Sequence, residues 1–274
     1  MSTPNFSILL APSEGKVEGG NPLAPDMFDY RASTTFNYFH DLNPDRRVLI
    51  AALHKALDGT KASLEKLFGL KGEFLAEAVT VNRELLGAPL MAALERYSPG
   101  VMYQAMDFPS LPTGAQRRLL ENGVIFSGLF GLLRPDDLIP NYRLRMDASV
   151  PKIGKVAAFW KPRTSALLNE VLNDRLVWNL LPGVHQDSWV DEGTYREMIV
   201  VRFMDEKKGK RTAVTHGVKP LRGRLVNFIV SESGEDAEAL VEWRHPDGYM
   251  LDPKASTYDE ETRIRSLVMV RKTR

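Results

Sequence analysis

The sequence predicts a mixed α/β (α+β) fold, in which a central mixed sheet is flanked by helices. Short apolar runs rich in β-branched residues, which are typical of buried strands, recur along the 274 residues. Longer stretches with apolar residues at helical spacing lie between them. Near the carboxyl end, two strand-like runs are separated by a polar turn, which is the pattern of a hairpin. We expect a single domain over residues 1–274 with a helical subregion at about residues 46–97.

The first predicted strand is Phe6–Leu10, with the sequence F-S-I-L-L. It continues directly into A-P-S-E-G-K at residues 11–16. Loops at strand ends often bind ligands in α/β sheets, although the glycine spacing before Lys16 is not that of a P-loop. From the residues alone, this segment is either an ordinary turn or part of a ligand site that includes Ser13 and Lys16.

The helical subregion is interrupted by two glycines, and either of two helix-pair motifs would explain the interruption. Near residues 60–85, one helix is expected to end at Gly69 and another to start after Gly72. In a helix-hairpin-helix motif, N–H groups of the hairpin and of the second helix hold DNA phosphates without reading bases. Lys71 stands where that motif usually has glycine. The alternative is an ordinary pair of helices with a glycine C-cap.

The remaining elements are predicted from periodicity and turn residues. They are a helix at 89–97, a helix at 113–121, a strand at 124–126, a helix at 156–172, a strand at 176–180, a hairpin at 196–216, a helix that begins near 219, a strand at 240–243 and a final strand at 264–270. An aromatic cluster is expected to pack over the core, with base stacking as the alternative; its members are Phe28, Tyr30, Phe36, Tyr38 and Phe39.

The composition restricts the chemistry that the protein can use. The chain has no cysteine, which excludes disulfides, thiolate catalysis, cysteine-bound metals and a thiol sensor of oxidants. Its five histidines are scattered without an H-x-x-x-H pair, so we predict no metal site and no cofactor. The formal net charge is +1, and a basic surface must therefore come from clustering of cations.

Targeting signals are not visible in the sequence. The amino-terminal residues lack a charged region followed by a long apolar run, so no signal peptide is expected. No stretch has the run of apolar residues that a transmembrane helix needs. We therefore expect a cytoplasmic protein with no membrane partner.

The most unusual stretch covers residues 122–149. It opens with the apolar run at 124–126 and continues through two glycines into a turn-rich segment. Binding residues often lie on loops that a rigid scaffold holds in place. The alternative is that its arginines only pair with neighbouring aspartates at the surface. The candidate binding residues in this stretch are Arg134, Asp137, Tyr142 and Arg143.

Residues 126–146 of this stretch, F-S-G-L-F-G-L-L-R-P-D-D-L-I-P-N-Y-R-L-R-M, resemble the signature of the YaaA family of bacterial peroxide stress proteins. The chain departs from that signature at Phe130, where the family usually has tyrosine, and at Arg145, where it often has glutamate. A second similarity is the A-P-S-E-G-K segment. A third is K-x-x-R-G, which Lys219 and Arg222 match.

Two further positions differ from the family. Asn227 stands where a later arginine of the family is expected, and Arg224 is a possible spatial substitute. The serine and glutamate that the family has after Asn179-Leu180 are missing, so no role is transferred to them.

The resemblance implies double-stranded DNA binding in a positively charged cleft, protection of DNA and protein during hydrogen peroxide stress, and lowered free iron. It also favours the helix-hairpin-helix interpretation of residues 60–85. The predicted DNA- or ligand-binding residues are Ser13, Lys16, Lys71, Arg134, Asp137, Tyr142, Arg143, Lys219 and Arg222.

The residues leave other functions open. The same side chains would also suit an enzyme that acts on a small anionic or nucleotide-like substrate, with lysine, tyrosine and aspartate as acid–base groups. Direct iron binding by Asp136 and Asp137 is a weaker alternative, because neighbouring side chains rarely point the same way. Oligomeric state is not predicted. Any of the binding hypotheses requires Lys16, Arg143 and Lys219 to meet in one cleft.

Overall fold

The structure is a computed structural model that describes residues 5–21 and 38–273. Phe28, Tyr30 and Phe36 of the expected aromatic cluster lie outside the described residues. The helices within the described residues are α1 (Asn43–Ala56), α2 (Lys61–Phe68), α3 (Gly72–Arg83), α4 (Ala93–Arg96), α5 (Val101–Met106), α6 (Thr113–Asn122), α7 (Val156–Leu172), α8 (Gly183–Gln186) and α9 (Val218–Phe228).

The strands include most of those that the sequence predicts. They are β1 (Phe6–Leu10), β2 (Met91–Ala92), β3 (Gly123–Ser127), β4 (Gly131–Leu133), β5 (Leu138–Ile139), β6 (Ser149–Val150), β7 (Gly154–Lys155), β8 (Leu176–Asn179), β9 (Glu197–Lys207), β10 (Lys210–Ala213), β11 (Met250–Leu251), β12 (Thr257–Asp259) and β13 (Ile264–Lys272).

The main sheet has the order β4-β3-β1-β8-β9-β13-β11, with β10 added to β9 and β12 added to β13. Strands β3, β1, β8, β9 and β13 run parallel, whereas β4, β10, β11 and β12 are antiparallel to their partners. The predicted mixed sheet flanked by helices is confirmed.

The strand order identifies one crevice as the place where a ligand is expected. Numbered along the chain, the parallel strands have the order 2-1-3-4-5, which is common in doubly wound α/β sheets. The order reverses between β1 and β8, and ligands of such sheets bind outside the carboxyl ends of the strands at this point. We call the space between residues 11–16, which follow β1, and residues 180–187, which follow β8, the switch-point crevice.

Buried strands form a rigid floor beneath this crevice. Every residue of β1, β3 and β8 is buried, as expected for parallel strands that are covered on both faces. The indole N–H of Trp160 donates to the carbonyl oxygen of Gly128 at 2.9 Å. A Cβ atom at Gly128 would lie 2.4 Å from the carbonyl oxygen of Leu144, so glycine lets the segment around Leu144 lie against the end of β3.

The helical subregion follows the prediction in part. Helix α2 ends at Gly69, which has φ of 66°, and α3 begins at Gly72. The two short helices are therefore confirmed, whereas DNA binding by their hairpin stays a prediction. No helix within residues 5–21 and 38–273 combines the length and the apolar character that a membrane crossing requires.

The predicted helix at 89–97 is wrong over its first half. Strand β2 pairs there with β5, and only α4 is helical. The reason is pairing with other segments: the N–H of Asn21 donates to the carbonyl oxygen of Leu90 at 2.8 Å, and Met91 and Ala92 pair with Ile139 and Leu138.

The predicted strand at 240–243 is also wrong. Residues Ala237–Val241 form a 3-10 helix, and the Asp236 side chain accepts a hydrogen bond from the N–H of Glu238 at 2.8 Å at its start. The Trp243 ring then stacks on Phe228, with ring centroids 4.4 Å apart. The apolar residues of this segment are therefore packed in a turn and do not form a strand of the sheet.

Candidate functional site

Lys16 lies in the segment that follows β1 and is partly buried. Its Nζ donates hydrogen bonds to the carbonyl oxygens of Ser13 at 3.0 Å and Glu14 at 3.5 Å. The same nitrogen lies 4.2 Å from the ring centroid of Tyr142 and 5.5 Å from that of Tyr97. In the described part of the chain, no carboxylate forms an ion pair with it.

The environment of Lys16 disfavours its ammonium form. Burial, together with the nearby cations of Arg143 and Arg96, lowers the pKa of Lys16 to about 7, although Glu14 acts in the opposite direction. At neutral pH, roughly half of this side chain is therefore an uncharged amine, whereas an ordinary lysine is almost wholly protonated.

A chain of buried hydroxyl groups fixes the aromatic wall beneath this amine. The Tyr142 hydroxyl lies 2.7 Å from the Tyr97 hydroxyl and 2.7 Å from Ser127 Oγ. Ser127 Oγ also accepts from the N–H groups of Leu129 at 3.2 Å and Phe130 at 3.0 Å. Burial raises the pKa of Tyr142 to about 12 and that of Tyr97 well above its usual value, so both phenols are neutral.

Helix α3 places Arg143 beside Lys16. The guanidinium donates from Nη2 to Glu77 Oε1 at 2.6 Å and from Nη1 to the carbonyl oxygen of Glu14. The backbone of Arg143 is tied to Asn82 in both directions, since its N–H donates to Oδ1 at 3.1 Å and its carbonyl oxygen accepts from Nδ2 at 2.8 Å. Arg143 is thus held with a side chain that is only 21% exposed.

A second group of charged residues comprises Arg145, Asp147, His185 and Lys219. Arg145 Nε donates to Asp147 Oδ1 at 2.8 Å and lies 3.9 Å from Glu14 Oε1. Burial lowers the pKa of His185 to about 4; Asp147 acts to raise that pKa, and Lys219 acts to lower it. His185 therefore lies close to both charges.

Helix α9 carries two of the predicted site residues. Lys219 is exposed, and Arg222, three residues further along, is partly buried. Burial lowers the pKa of Arg222, and no charged group contributes to that shift. An arginine in such a position is able to bind an anion from outside the chain.

Ser13 and Lys71 are the remaining predicted site residues. Ser13 packs on the turn before α5, because a Cβ atom at Gly100 would lie 2.3 Å from Ser13 Oγ. Lys71 is exposed at the N-cap position of α3, with no side-chain capping bond.

Arg134 and Asp137 contact the backbone of neighbouring segments. Arg134 Nη1 donates to the carbonyl oxygens of Glu121 at 2.7 Å and Gly123 at 3.3 Å, which holds the end of α6. Asp137 accepts from the N–H groups of Arg134 at 2.7 Å and Tyr38 at 3.1 Å, and burial raises its pKa to about 6. A role for either residue in ligand binding stays a prediction.

The carboxylates of Asp136 and Asp137 have different partners. Asp136 Oδ2 accepts from the Tyr38 hydroxyl at 2.9 Å, whereas Asp137 accepts from backbone N–H groups. Within residues 5–21 and 38–273, no group of three or more histidine, aspartate or glutamate side chains is arranged to hold a metal ion.

Comparison with known proteins agrees with the resemblance found in the sequence. The model of the family described as peroxide stress protein YaaA matches residues 6–255. This chain belongs to the YaaA family. Within this family, relatives with comparable lengths are found in distant bacteria, as the following three examples show.

A UPF0246 protein of Streptomyces coelicolor is 31% identical over 253 residues, which cover 90% of this chain and 92% of that protein. An uncharacterized protein of Campylobacter jejuni is 30% identical over 241 residues, which cover 86% and 89% of the two chains. A UPF0246 protein of Corynebacterium glutamicum is 32% identical over 231 residues, which cover 83% and 86%.

Several residues of this YaaA-family site were not predicted from the sequence. Ser127 could have been predicted as a site residue, because it lies inside the matched signature at the end of a predicted buried strand. Tyr97, Glu77 and His185 had none, because each comes from a different segment and reaches the site through tertiary packing.

Proposed function

We propose that this chain binds a small anionic, nucleotide-like ligand in the switch-point crevice, and that this binding is part of its role as a YaaA-family peroxide stress protein. The proposal is supported by the position of Lys16 after β1 and of His185 after β8, where the strand order reverses, with Arg143 close to Lys16 and Lys219 close to His185. Cations that line a crevice raise the local concentration of anions even when the net charge is only +1.

The contacts of the cations favour a compact ligand over an extended polyanion. Arg143 and Arg145 are already paired with Glu77 and Asp147, so neither adds an uncompensated charge to the outer surface. Lys16 is partly buried, and a ligand must enter the crevice to reach it. A mononucleotide or a similar small anion meets that requirement better than a duplex.

A thermal-shift screen tests this proposal. The probes are inorganic phosphate, pyrophosphate and nucleoside mono- and triphosphates, each at several concentrations. A ligand at about 100 times its Kd raises Tm by about 5–10 °C in a domain of this size. Lys219→Ala should weaken the ligand-dependent rise, whereas Lys254→Ala, which removes the same charge from an exposed position, should not. Absence of any rise, or equal weakening by both variants, would refute the proposal.

Double-stranded DNA is the second candidate, and one contact favours it. A Cβ atom at Gly69 would lie 3.2 Å from Arg145 Nη1, so the hairpin between α2 and α3 adjoins the crevice. Exposed Lys71 and exposed Lys219 then extend the cationic surface in two directions. Contacts of this kind would be made to phosphates and would depend steeply on salt.

Duplex binding is tested by fluorescence anisotropy at several salt concentrations. We expect Lys71→Ala and Lys219→Ala each to weaken binding of all sequences alike and to reduce the salt slope by about 1. Arg143→Ala should also weaken binding. Lys254→Ala is the control of equal charge. If the first two variants bind duplex as the parent does, the DNA candidate fails, whatever the nucleotide screen gives.

Protection during peroxide stress, including a lower level of free iron, is the cellular part of the proposal. A strain without the gene is complemented with the parent, Lys219→Ala or Lys254→Ala and is exposed to hydrogen peroxide. The parent and Lys254→Ala should restore survival and lower the level of free iron. Lys219→Ala should do neither. Full restoration by Lys219→Ala would separate the crevice from the stress function.

A further inference from the structure

The surroundings of Lys16 are those of a reactive amine. Its nitrogen is held by two backbone carbonyl oxygens and by the face of Tyr142, and no carboxylate of the described residues pairs with it. The cations of Arg143 and Arg96 act on it from two other elements. Lysines become nucleophiles when they are desolvated or placed beside another cation, and both conditions are met here.

We propose that the Nζ amine of Lys16 condenses with the aldehyde or ketone group of a small anionic substrate to form an imine. The proposal rests on the proposed function, because the cations of the switch-point crevice would bind the negative charge of that substrate. Arg143 adjoins the amine but is paired with Glu77, whereas Lys219, near His185, is exposed. Lys219 would therefore bind the phosphate or carboxylate group.

The reaction balances without another reactant. The nitrogen lone pair attacks the carbonyl carbon, the carbonyl oxygen takes up a proton, and the nitrogen loses one, which gives a carbinolamine. The nitrogen then forms the double bond to carbon as the hydroxyl group leaves as water. One amine and one carbonyl compound thus give one imine and one water. Because Lys16 is only partly buried, water is able to carry the protons.

Reductive trapping tests this inference on the full-length protein. Pyridoxal 5′-phosphate is the probe, since it joins an aldehyde to a phosphate, and borohydride converts the imine to a stable secondary amine. Peptide mass spectrometry then compares Lys16 with exposed Lys71 of the same chain. At pH 7, we expect Lys16 to be labelled at least tenfold faster. Equal rates at the two lysines would overturn the proposal.

The pH profile distinguishes a reactive amine from a merely accessible one. Labelling of Lys16 should be half-maximal near pH 7. The groups that face Nζ are Arg143, Arg96, Glu14, Tyr97 and Tyr142. Lys16→Arg, which keeps the positive charge but cannot form an imine, should lose the adduct at this position and retain the fold by circular dichroism. A profile that follows that of Lys71 would contradict the proposal.

A neutral aldehyde separates this inference from the proposed function. Pyridoxal without phosphate should still label Lys16 preferentially if the amine is the nucleophile, but inorganic phosphate should compete only with pyridoxal 5′-phosphate. If pyridoxal labels Lys16 preferentially but inorganic phosphate does not compete with pyridoxal 5′-phosphate, the nucleophilic amine is supported and anion binding is refuted. Binding of anions without preferential labelling by either aldehyde would refute the amine alone.

Discussion

Lys16 in the switch-point crevice and the arginines at the outer edge of the sheet are cationic side chains in different surroundings. The outer edge is here the part of the sheet around β9, β13 and the added strand β10, on the other side of β8 from β1, and its arginines meet carboxylates in partly exposed ion pairs. Arg211 contacts Glu206 at 2.8 Å and Asp252 at 2.6 Å, and Arg271 contacts Asp205 at 2.9 Å. In the crevice, by contrast, Lys16 has backbone carbonyls and aromatic rings around it.

The two regions differ in whether a cationic side chain is paired with a carboxylate. Exposed ion pairs contribute about 0.2–1 kcal/mol each and leave the pKa of a cation high. Partial burial without a paired carboxylate disfavours the charged form of lysine, and this is the feature on which the proposed site depends. Four predictions test this comparison.

The largest effect is expected at the floor of the crevice. Gly128→Ala would place Cβ 2.4 Å from the carbonyl oxygen of Leu144, so the segment around Leu144 must move. We expect a loss of about 3 kcal/mol in the free energy of unfolding, seen as a fall in Tm of about 6–12 °C. The matched variant is Gly114→Ala on α6, where the nearest atom is the far end of Arg118 at 3.8 Å and alanine suits the helix. Similar losses in both variants would contradict a rigid floor.

The two buried tyrosines give the second comparison. Tyr142→Phe removes the hydroxyl that joins Tyr97 to Ser127, and we expect it to destabilise the fold by about 2 kcal/mol because buried partners lose a bond. Tyr249→Phe at the outer edge leaves Asp205 paired with Arg271, so its cost should be about 1 kcal/mol or less. Chemical denaturation measures both. The reverse ranking would show that the hydroxyl chain does not stabilise the crevice.

The third prediction concerns pH. The pKa of Lys16 is about 7 in the folded chain, below the usual 10.5, so the unfolded chain binds an extra proton between these values. Loss of this proton should therefore raise the free energy of unfolding of the parent as pH rises from 7 to 9. Lys16→Met should flatten this part of the curve, whereas Lys254→Met should not. Denaturant unfolding at closely spaced pH values measures the slopes, and identical slopes for parent and Lys16→Met would disprove the assigned pKa.

The smallest effect is expected at the outer edge. Arg211→Ala removes a side chain that is 36% exposed together with its two ion pairs. We expect a loss of at most about 1 kcal/mol in the free energy of unfolding and no change in the ligand-dependent rise of Tm. If Arg211→Ala weakened ligand binding as much as Lys219→Ala, the ligand would not be confined to the crevice.

Elements with strong local patterns were predictable from the sequence. Strand β1 and helix α7 have the predicted limits, because a fully buried strand and a long helix each carry a clear periodic signal. Residues 91–92 and 240–243 were misassigned, since backbone pairing with β5 and stacking on Phe228 decide their conformation. Such contacts leave no signal in the local sequence.

The candidate site was predictable only as a set of residue types. The meeting of Lys16 with Arg143 was expected, but the position of Tyr97 below Lys16 was not. Nor does the sequence reveal that Arg134 is bound to backbone carbonyls at the end of α6. The distinction between a supporting arginine and one that faces a crevice depends on tertiary geometry, which composition and spacing do not contain.

The central position of β1 has a consequence for synthesis on the ribosome. Phe6–Leu10 is wholly apolar apart from one serine, yet Ile8 pairs with Gly123 and Trp178, which are translated much later. At about 5–20 residues per second, the emerging segment waits roughly 6–23 s for its first neighbour. During that interval an apolar segment lacks its strand partners, which is the condition that favours aggregation of a nascent chain.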